Sequence, residues 1–532
     1  MFIATNSRSR WLVATFASAL FAASAGAAPP ADLDRYASKV MQTFETPGMV
    51  VAIAEQGRPS VVRTYGVRRM GEPAKVDEHS LFAIGSTTKA FTVALLAMLV
   101  DEGKLAWDSK VSDVLPGFKM YDAYATSEMT IRDLLVHRSG LAVGAGDLLF
   151  YPPSTLSSAE IVHQLRYIKP ATSFRSSFAY DNLLYIVAGQ VIETVTKSSW
   201  HDVMRQRILA PLQMDETATS SALPVGVNRA WPHLRLSEEA RGIGTLAPLA
   251  KPLTLDNAAA AGSLNTSGAN LVRWLELQLG QGLDPRTNVR LFSEAQAREM
   301  WTPQALIPVG PAPQGLELTK PNFRTYTLGW IASDYRGQRI VAHNGGVPGF
   351  VTTIVLVPDR GVAFAILTNA EEAGTLSSMQ YRLLDHYLGL KSPDWITAVA
   401  SAQKERITKA REALAASAAS GDSNAGTVKG PSLPLEKYAG QYRDVWYGPV
   451  SIAADGSNLS ISFDNTPTMK GTLQHVRYDT FRTHWADRSI EDAYVTFALD
   501  AAGAIERVTM KAISPLADFS FDYPDLQLKP QR

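Results

Sequence analysis

The chain has no cysteine, and this excludes a disulfide framework, a thiolate nucleophile and a cysteine-linked lipid. It also lacks an excess of either charge. Its 51 Lys and Arg balance 51 Asp and Glu, so no net field exists to hold a polyanion, and nucleic acid is not an expected partner. A small neutral or mixed-charge substrate fits that balance better. Long apolar runs are missing too: the longest near the start, Trp11 to Ala23, is short for a membrane span. No G-x-S-x-G elbow and no H-E-x-x-H pair occurs, which removes the usual signatures of α/β-hydrolases and zinc peptidases.

What is present begins with a targeting signal. Arg8 and Arg10 precede the apolar stretch, and Ala25-Gly26-Ala27 offers an A-x-A cleavage site, so residues 1–27 read as a signal peptide. Export to the periplasm is the expectation, with no membrane span left in the mature chain. A length of 532 residues predicts up to about three structural units. The expected division is 28–395, a helix and linker over 396–432, and 433–532. Oligomeric state is not legible in the sequence.

The pattern along the chain supports that division. Two β-rich runs flank a Gln56-Gly57 turn and predict a hairpin. Residues 86–102 form an apolar helical pattern closed by Gly103 at the C′ position. From about 110 to 300 the signals are mainly helical, including Leu183, Val187, Val191 and Val195 at four-residue spacing. Between 324 and 369 they become short strands joined by turns such as Arg336-Gly337, and tight turns force antiparallel neighbours. Strands, then helices, then strands imply an α+β fold: an antiparallel sheet built from both ends of the segment, flanked by helices, with a helical subdomain. Residues 398–417 read as an exposed alanine-rich helix, and the Gly- and Ser-rich stretch after it as a flexible linker. Beyond it, turns at Asp455-Gly456 and Ala502-Gly503 predict a small all-β barrel or sandwich.

The chemistry-bearing residues are few. Ser86 and Lys89 stand one helical turn apart in an apolar context, so Lys89 is expected to be buried beside the serine. Burial disfavours the ammonium and pushes the amine toward a pKa at which it can accept the serine proton. The bland reading is an N-cap serine with a snorkelling lysine. Ser401 to Lys404 repeats the S-x-x-K spacing within the alanine-rich helix, where a charged helix face is expected. Two further motifs each occur once. Tyr180-Asp181-Asn182 precedes an apolar helix and can present a phenol and an amide, and His343-Asn344-Gly345 ends a strand ahead of Gly346. Trp446, Tyr447, His484 and Trp485 are either core packing of the β-domain or a cover for the cleft.

Taken in order, the segments SLFAIGSTTKAFT, EGKLAWDSKVSDVLPGF, MTIRDLLVHRSGL, AAGSLNTSGANLVRWL, YTLGW, HNGGVPGF and ILTN resemble the serine β-lactamase and penicillin-binding-protein family, in particular its class C-like branch of esterases and D-aminopeptidases. The resemblance covers residues 35 to 390, and the region from 433 is similar to a β-domain often appended to such proteins. It implies Ser86 as the acylated nucleophile, Lys89 as its proton acceptor and Tyr180 as the group that activates the nucleophile or protonates the leaving group. It also implies Asn182, His343 and Gly345 as substrate-binding residues, backbone N–H groups of Ser86 and Gly346 as an oxyanion hole, and no metal or cofactor. His343 stands where the lactamases carry lysine. A neutral imidazole gives no fixed cation for a carboxylate, so peptide, amide or ester hydrolysis is expected ahead of β-lactam hydrolysis. The alternatives are a penicillin-binding or lactamase-type protein, or a slowly released, acylated sensor of cell-wall peptides.

Overall fold

The computed structural model describes residues 28–237, 240–422 and 430–531. The expected signal peptide and the centre of the expected linker lie outside the described residues.

The predicted hairpin forms from β1 (Gly48–Glu55) and β2 (Val61–Gly66). The other strands of the same sheet come from far along the chain: β3 (Ala305–Leu306), β4 (Arg324–Tyr326), β5 (Ile331–Tyr335), β6 (Gln338–Val347), β7 (Phe350–Val357) and β8 (Val362–Thr368). Their order across the eight-stranded antiparallel sheet is β2-β1-β8-β7-β6-β5-β4-β3, so β1 joins the two ends of the segment by pairing with β8 from Met49↔Thr368 to Glu55↔Val362. Arg336 and Gly337, both at positive φ, make the tight turn between β5 and β6.

Strand periodicity sends alternate residues into two cores. In β1, Val50, Ala52 and Ala54 enter one apolar cluster while Met49, Val51 and Ile53 enter another. In β8, Ala363, Ala365 and Leu367 face the first cluster, and Val362, Phe364 and Ile366 the second. Both faces are therefore covered, which is why these strands read as unbroken apolar runs. The second cluster is closed by α1 (Leu33–Phe44), and the first by α2 (Thr88–Asp101), α3 (Leu183–Thr196) and α4 (Gly268–Leu279). All residues of α2 from Thr88 to Leu99 are buried, and Phe91 stacks on Trp274 of α4 with ring centroids 3.7 Å apart. Its end is a Schellman motif, in which Gly103 N–H donates to Val100 O and Lys104 N–H to Leu99 O.

Two helices follow the sheet, α5 (Ala373–Tyr387) and α6 (Trp395–Asp422). The alanine-rich helix is longer than expected and is not exposed throughout. Its first turns bury Trp395, Ile396 and Val399 in the second core, and Trp395 Nε1 donates to the buried Asp385 at 2.7 Å. Ser401 and Lys404 are exposed, as expected of a charged helix face.

The remaining strands are β9 (Gly440–Asp444), β10 (Gly448–Asp455), β11 (Asn458–Phe463), β12 (Lys470–Arg477), β13 (Thr480–Trp485), β14 (Ala493–Leu499), β15 (Ile505–Ala512) and β16 (Lys529–Pro530). They form one antiparallel sheet in the order β15-β14-β13-β12-β11-β10-β9-β16. Val508 and Leu528 exchange hydrogen bonds of 2.8 and 3.0 Å, which closes the sheet into a barrel. Trp446, Tyr447 and Trp485 fill its interior, so the packing reading holds for these three, whereas His484 is half-exposed and bonds Gln474 at 2.9 Å, away from both core and cleft. The barrel reaches the cleft with a different segment, the loop between β15 and β16.

Candidate active site

Ser86 lies in a single 3₁₀ turn, Gly85–Thr87, that leads directly into α2. The sequence pattern carries the α-helix through Ser86, whereas the α-helical ladder starts two residues later. The tight turn exists because another backbone lies against it. A Cβ on Gly85, whose φ is +49°, would sit 2.8 Å from Gly346 N, and one on Gly345 would sit 1.9 Å from Ile84 O. Only glycine permits this approach. It sets the Gly346 backbone against the turn that carries Ser86, and the Ser86 N–H is among the first of a helix and has no partner within it.

Lys89 is buried completely. Its Nζ has three neighbours: Ser86 Oγ at 3.0 Å, Asn182 Oδ1 at 2.7 Å and Ala261 O at 3.0 Å. The rings of Tyr180 and Tyr185 flank it at 5.0 and 5.1 Å. Burial pushes the Lys89 amine down to about 7, with the Asp147 and Asp181 carboxyls acting the other way. Tyr180 packs on His137, 4.2 Å between ring centroids, and burial raises its phenol above the usual range. Among the described residues no hydrogen bond closes on the Tyr180 hydroxyl, although Ser86 is near enough to favour its ionised form.

Asn182 stands at the start of α3, and both ends of its amide are engaged. Oδ1 accepts from Lys89, and Nδ2 donates to Asp147 Oδ2 at 2.8 Å, which leaves one N–H free. His343 sits on β6 just past Ala342, where pairing with β5 ends, so the edge of β6 beside Ser86 is open toward the cleft. Its Nδ1 lies 2.6 Å from Asn344 O and its Nε2 2.8 Å from Tyr326 Oη. A carbonyl only accepts, so the proton is on Nδ1 and Nε2 accepts from the tyrosine. Burial and the nearby Lys89 charge hold His343 down at about 3, so it is neutral. Both ring nitrogens are occupied within the protein. His343 therefore shapes the wall, and a direct polar contact with substrate is not available to it in this arrangement.

Ser86, Tyr180, Asn182, His343, Gly345 and Gly346 line a cavity of about 440 Å³, with the Lys89 amine buried behind Ser86 and Asn182. Sequence reasoning missed part of its wall. Phe150 and Tyr151 come from the helical region, the buried Arg241 bridges Glu371 at 2.6 Å and Glu491 of the barrel at 3.9 Å, and Phe519 and Ser520 come from the β15–β16 loop. The Phe519 ring lies 5.9 Å from that of Tyr180, and Ser520 Oγ donates to Asp147 at 2.7 Å. No periodicity or motif in SPLADFSFDYPD announces this role, because it depends on how the barrel docks. Ser86, Lys89, Tyr180, Asn182, His343, Gly345 and Gly346 are brought together in one place.

Known proteins resemble the chain in sequence and in fold. The β-lactamase family model matches residues 33–388, and a family described as a domain of unknown function (DUF3471) matches 424–530. Unguisins hydrolase ungD′ of Aspergillus campestris is 31% identical over 460 residues, 80% of this chain and 78% of its own. Penicillin-binding protein 4 of Amycolatopsis lactamdurans is 28% identical over 361 residues, 65% of this chain and 87% of its own. Among solved structures, the octameric penicillin-binding protein homologue from Pyrococcus abyssi shares the fold over 93% of this chain and 99% of that one, with a TM-score of 0.57 at 19% identity. The D-amino acid amidase from Ochrobactrum anthropi shares it over 67% of this chain and 98% of its own, with a TM-score of 0.54 at 21% identity. The chain belongs to the β-lactamase family and is a serine hydrolase.

Proposed function

We propose that this protein is exported and hydrolyses the peptide, amide or ester bond of a small substrate through an acyl-enzyme at Ser86. The observation that carries the reading is the fully buried Lys89 amine 3.0 Å from the serine oxygen. As a neutral base it takes the Ser86 proton while Oγ attacks the carbonyl carbon. The N–H groups of Ser86 and Gly346 receive the developing oxyanion, a contact whose loss typically costs on the order of 3 kcal/mol of transition-state stabilisation. Tyr180 passes the proton to the leaving group, and water then releases the acyl chain by the reverse route.

The neutral, internally bonded His343 supplies no cation for a carboxylate where the lactamases carry lysine, and the cations on the cavity wall are Arg241, already paired with Glu371, and Arg324. The relative named for hydrolysing unguisins supports turnover over a stalled adduct. The test is a panel of p-nitrophenyl esters, D- and L-amino acid anilides, short peptides and nitrocefin on wild type and Ser86→Ala. Turnover of an ester or amide that vanishes in the variant is expected, and a Ser86→Ala protein of full activity overturns the assignment. A persistent penicillin adduct in the intact mass, without turnover of any substrate, would make the protein a sensor instead.

A further inference from the structure

A neutral amine has two hydrogens and one lone pair, and the surroundings of Lys89 decide where each points. Ala261 O can only accept, so it takes one hydrogen. Asn182 Oδ1 takes the other, which leaves the lone pair directed at Ser86 Oγ. That outcome depends on the amide of Asn182 facing the right way. Flipped, it would offer Nδ2–H to Lys89 and capture the lone pair.

Asp147 stands on the far side of that amide. It is fully buried on the 3₁₀ turn Asp147–Leu149, its Oδ2 accepts from Asn182 Nδ2 at 2.8 Å, and its Oδ1 has no partner among the described residues. The same Oδ2 receives Ser520 Oγ–H at 2.7 Å, from a residue 373 positions away in the β15–β16 loop of the barrel. Asp522 of that loop anchors it two residues later by accepting from Gly146 N–H. Four side chains thus form one buried series running from the barrel to the base.

We propose that Asp147 and Ser520 are positioning residues that lock the Asn182 amide, so that the C-terminal barrel completes the catalytic centre through the series Ser520–Asp147–Asn182–Lys89. This rests on Lys89 acting as the base. Neither residue touches substrate in this role. The barrel is then required for chemistry itself, beyond any part it has in shaping the cleft.

The test is the rate at which a fluorophosphonate probe labels Ser86, read by intact mass, with p-nitrophenyl acetate turnover measured in parallel and folding checked by circular dichroism and melting. Asp147→Ala frees the amide and slows labelling about 100-fold, the scale of a misplaced catalytic group. Asp147→Asn keeps an acceptor oxygen in place and holds the rate within about fivefold of wild type, a rescue that a purely electrostatic role would not give. Ser520→Ala removes one hydrogen bond and slows labelling about fivefold, mainly in kcat rather than KM for the ester. Because Ser520 acts through Asp147, the double variant is no slower than Asp147→Ala.

Wild-type labelling rates in folded Asp147→Ala, or effects that multiply in the double variant, overturn the lock. Should Asp147→Ala not fold, Ser520→Ala decides alone, and an unchanged rate there overturns it. The function itself fails under a different result: a wild type that does not label at Ser86, or a Lys89→Met protein that labels as fast as wild type.

Discussion

The burial of Lys89 makes a quantitative demand on pH dependence. An exposed lysine loses its proton near 10.4, so at pH 7 only about one such amine in 2,500 is free to act as a base. With Lys89 held down to about 7, about half of the molecules carry the free amine at that pH. Acylation should therefore rise through pH 7, level off above pH 8, and be about 100-fold slower at pH 5 than on the plateau. Stopped-flow release of p-nitrophenol in the acylation phase, from pH 5 to 9, reads this limb directly. Among the neighbours, His343 sits near 3 and Tyr180 above its usual range, so neither titrates in the window. Asp181 does, since burial raises it to about 7, and burial also raises the Asp147 carboxyl well above its usual range. The Asp181 carboxylate also holds Lys89 up, so Asp181→Asn, which keeps the oxygen that accepts Leu183 N–H at 2.7 Å, should move the limb to lower pH. A midpoint near 10 in wild type would refute the desolvated base, and a limb that vanishes in Asp181→Asn would assign it to the aspartate.

Other expectations follow from the same geometry. Lys89→Arg keeps a charge but removes the acceptor, and kcat should fall by about 10²- to 10⁴-fold, the usual worth of a general base; near-normal kinetics would contradict the role. Lys89→Met tests the stability linkage. Between pH 7 and about 10.4 the unfolded wild-type chain binds a proton that the folded chain does not, so wild-type stability relative to the variant should rise by up to about 1.4 kcal/mol per pH unit there and be flat below 7. Paired denaturant titrations measure it. Gly345→Ala drives a Cβ to 1.9 Å from Ile84 O, and should destabilise by about 3 kcal/mol while displacing the Ser86 turn; a variant with wild-type melting and rate would show that the strand can shift freely. Phe519→Ala opens the wall over Tyr180 and should raise kcat/KM for bulky acyl esters relative to acetyl ones, and unchanged selectivity would leave the loop without a steric role.

Much of the fold was legible because both of its periodicities are local. The β1–β2 hairpin, the short turns after Arg336 and Pro358, and the Gly103 cap are written in neighbouring residues. The two S-x-x-K stretches show how context separates equal motifs. Ser86 and Lys89 lie in a run with no polar face, and Ser401 and Lys404 beside a charged stretch that runs from Lys404 to Glu412. The aromatic residues of the β-domain were ambiguous on sequence for a physical reason, since a tryptophan that fills a barrel and one that covers a cleft have the same composition around them.

The sequence by itself determined that Ser86 and Lys89 stand one helical turn apart in an apolar run, because helical periodicity is written in neighbouring residues. Only the tertiary structure decided how those groups are aimed. The tautomer of His343, the orientation of the Asn182 amide and the arrival of Ser520 and Phe519 in the cleft each depend on contacts between residues far apart in the chain, and a directional hydrogen bond has no signature until both of its ends are in place.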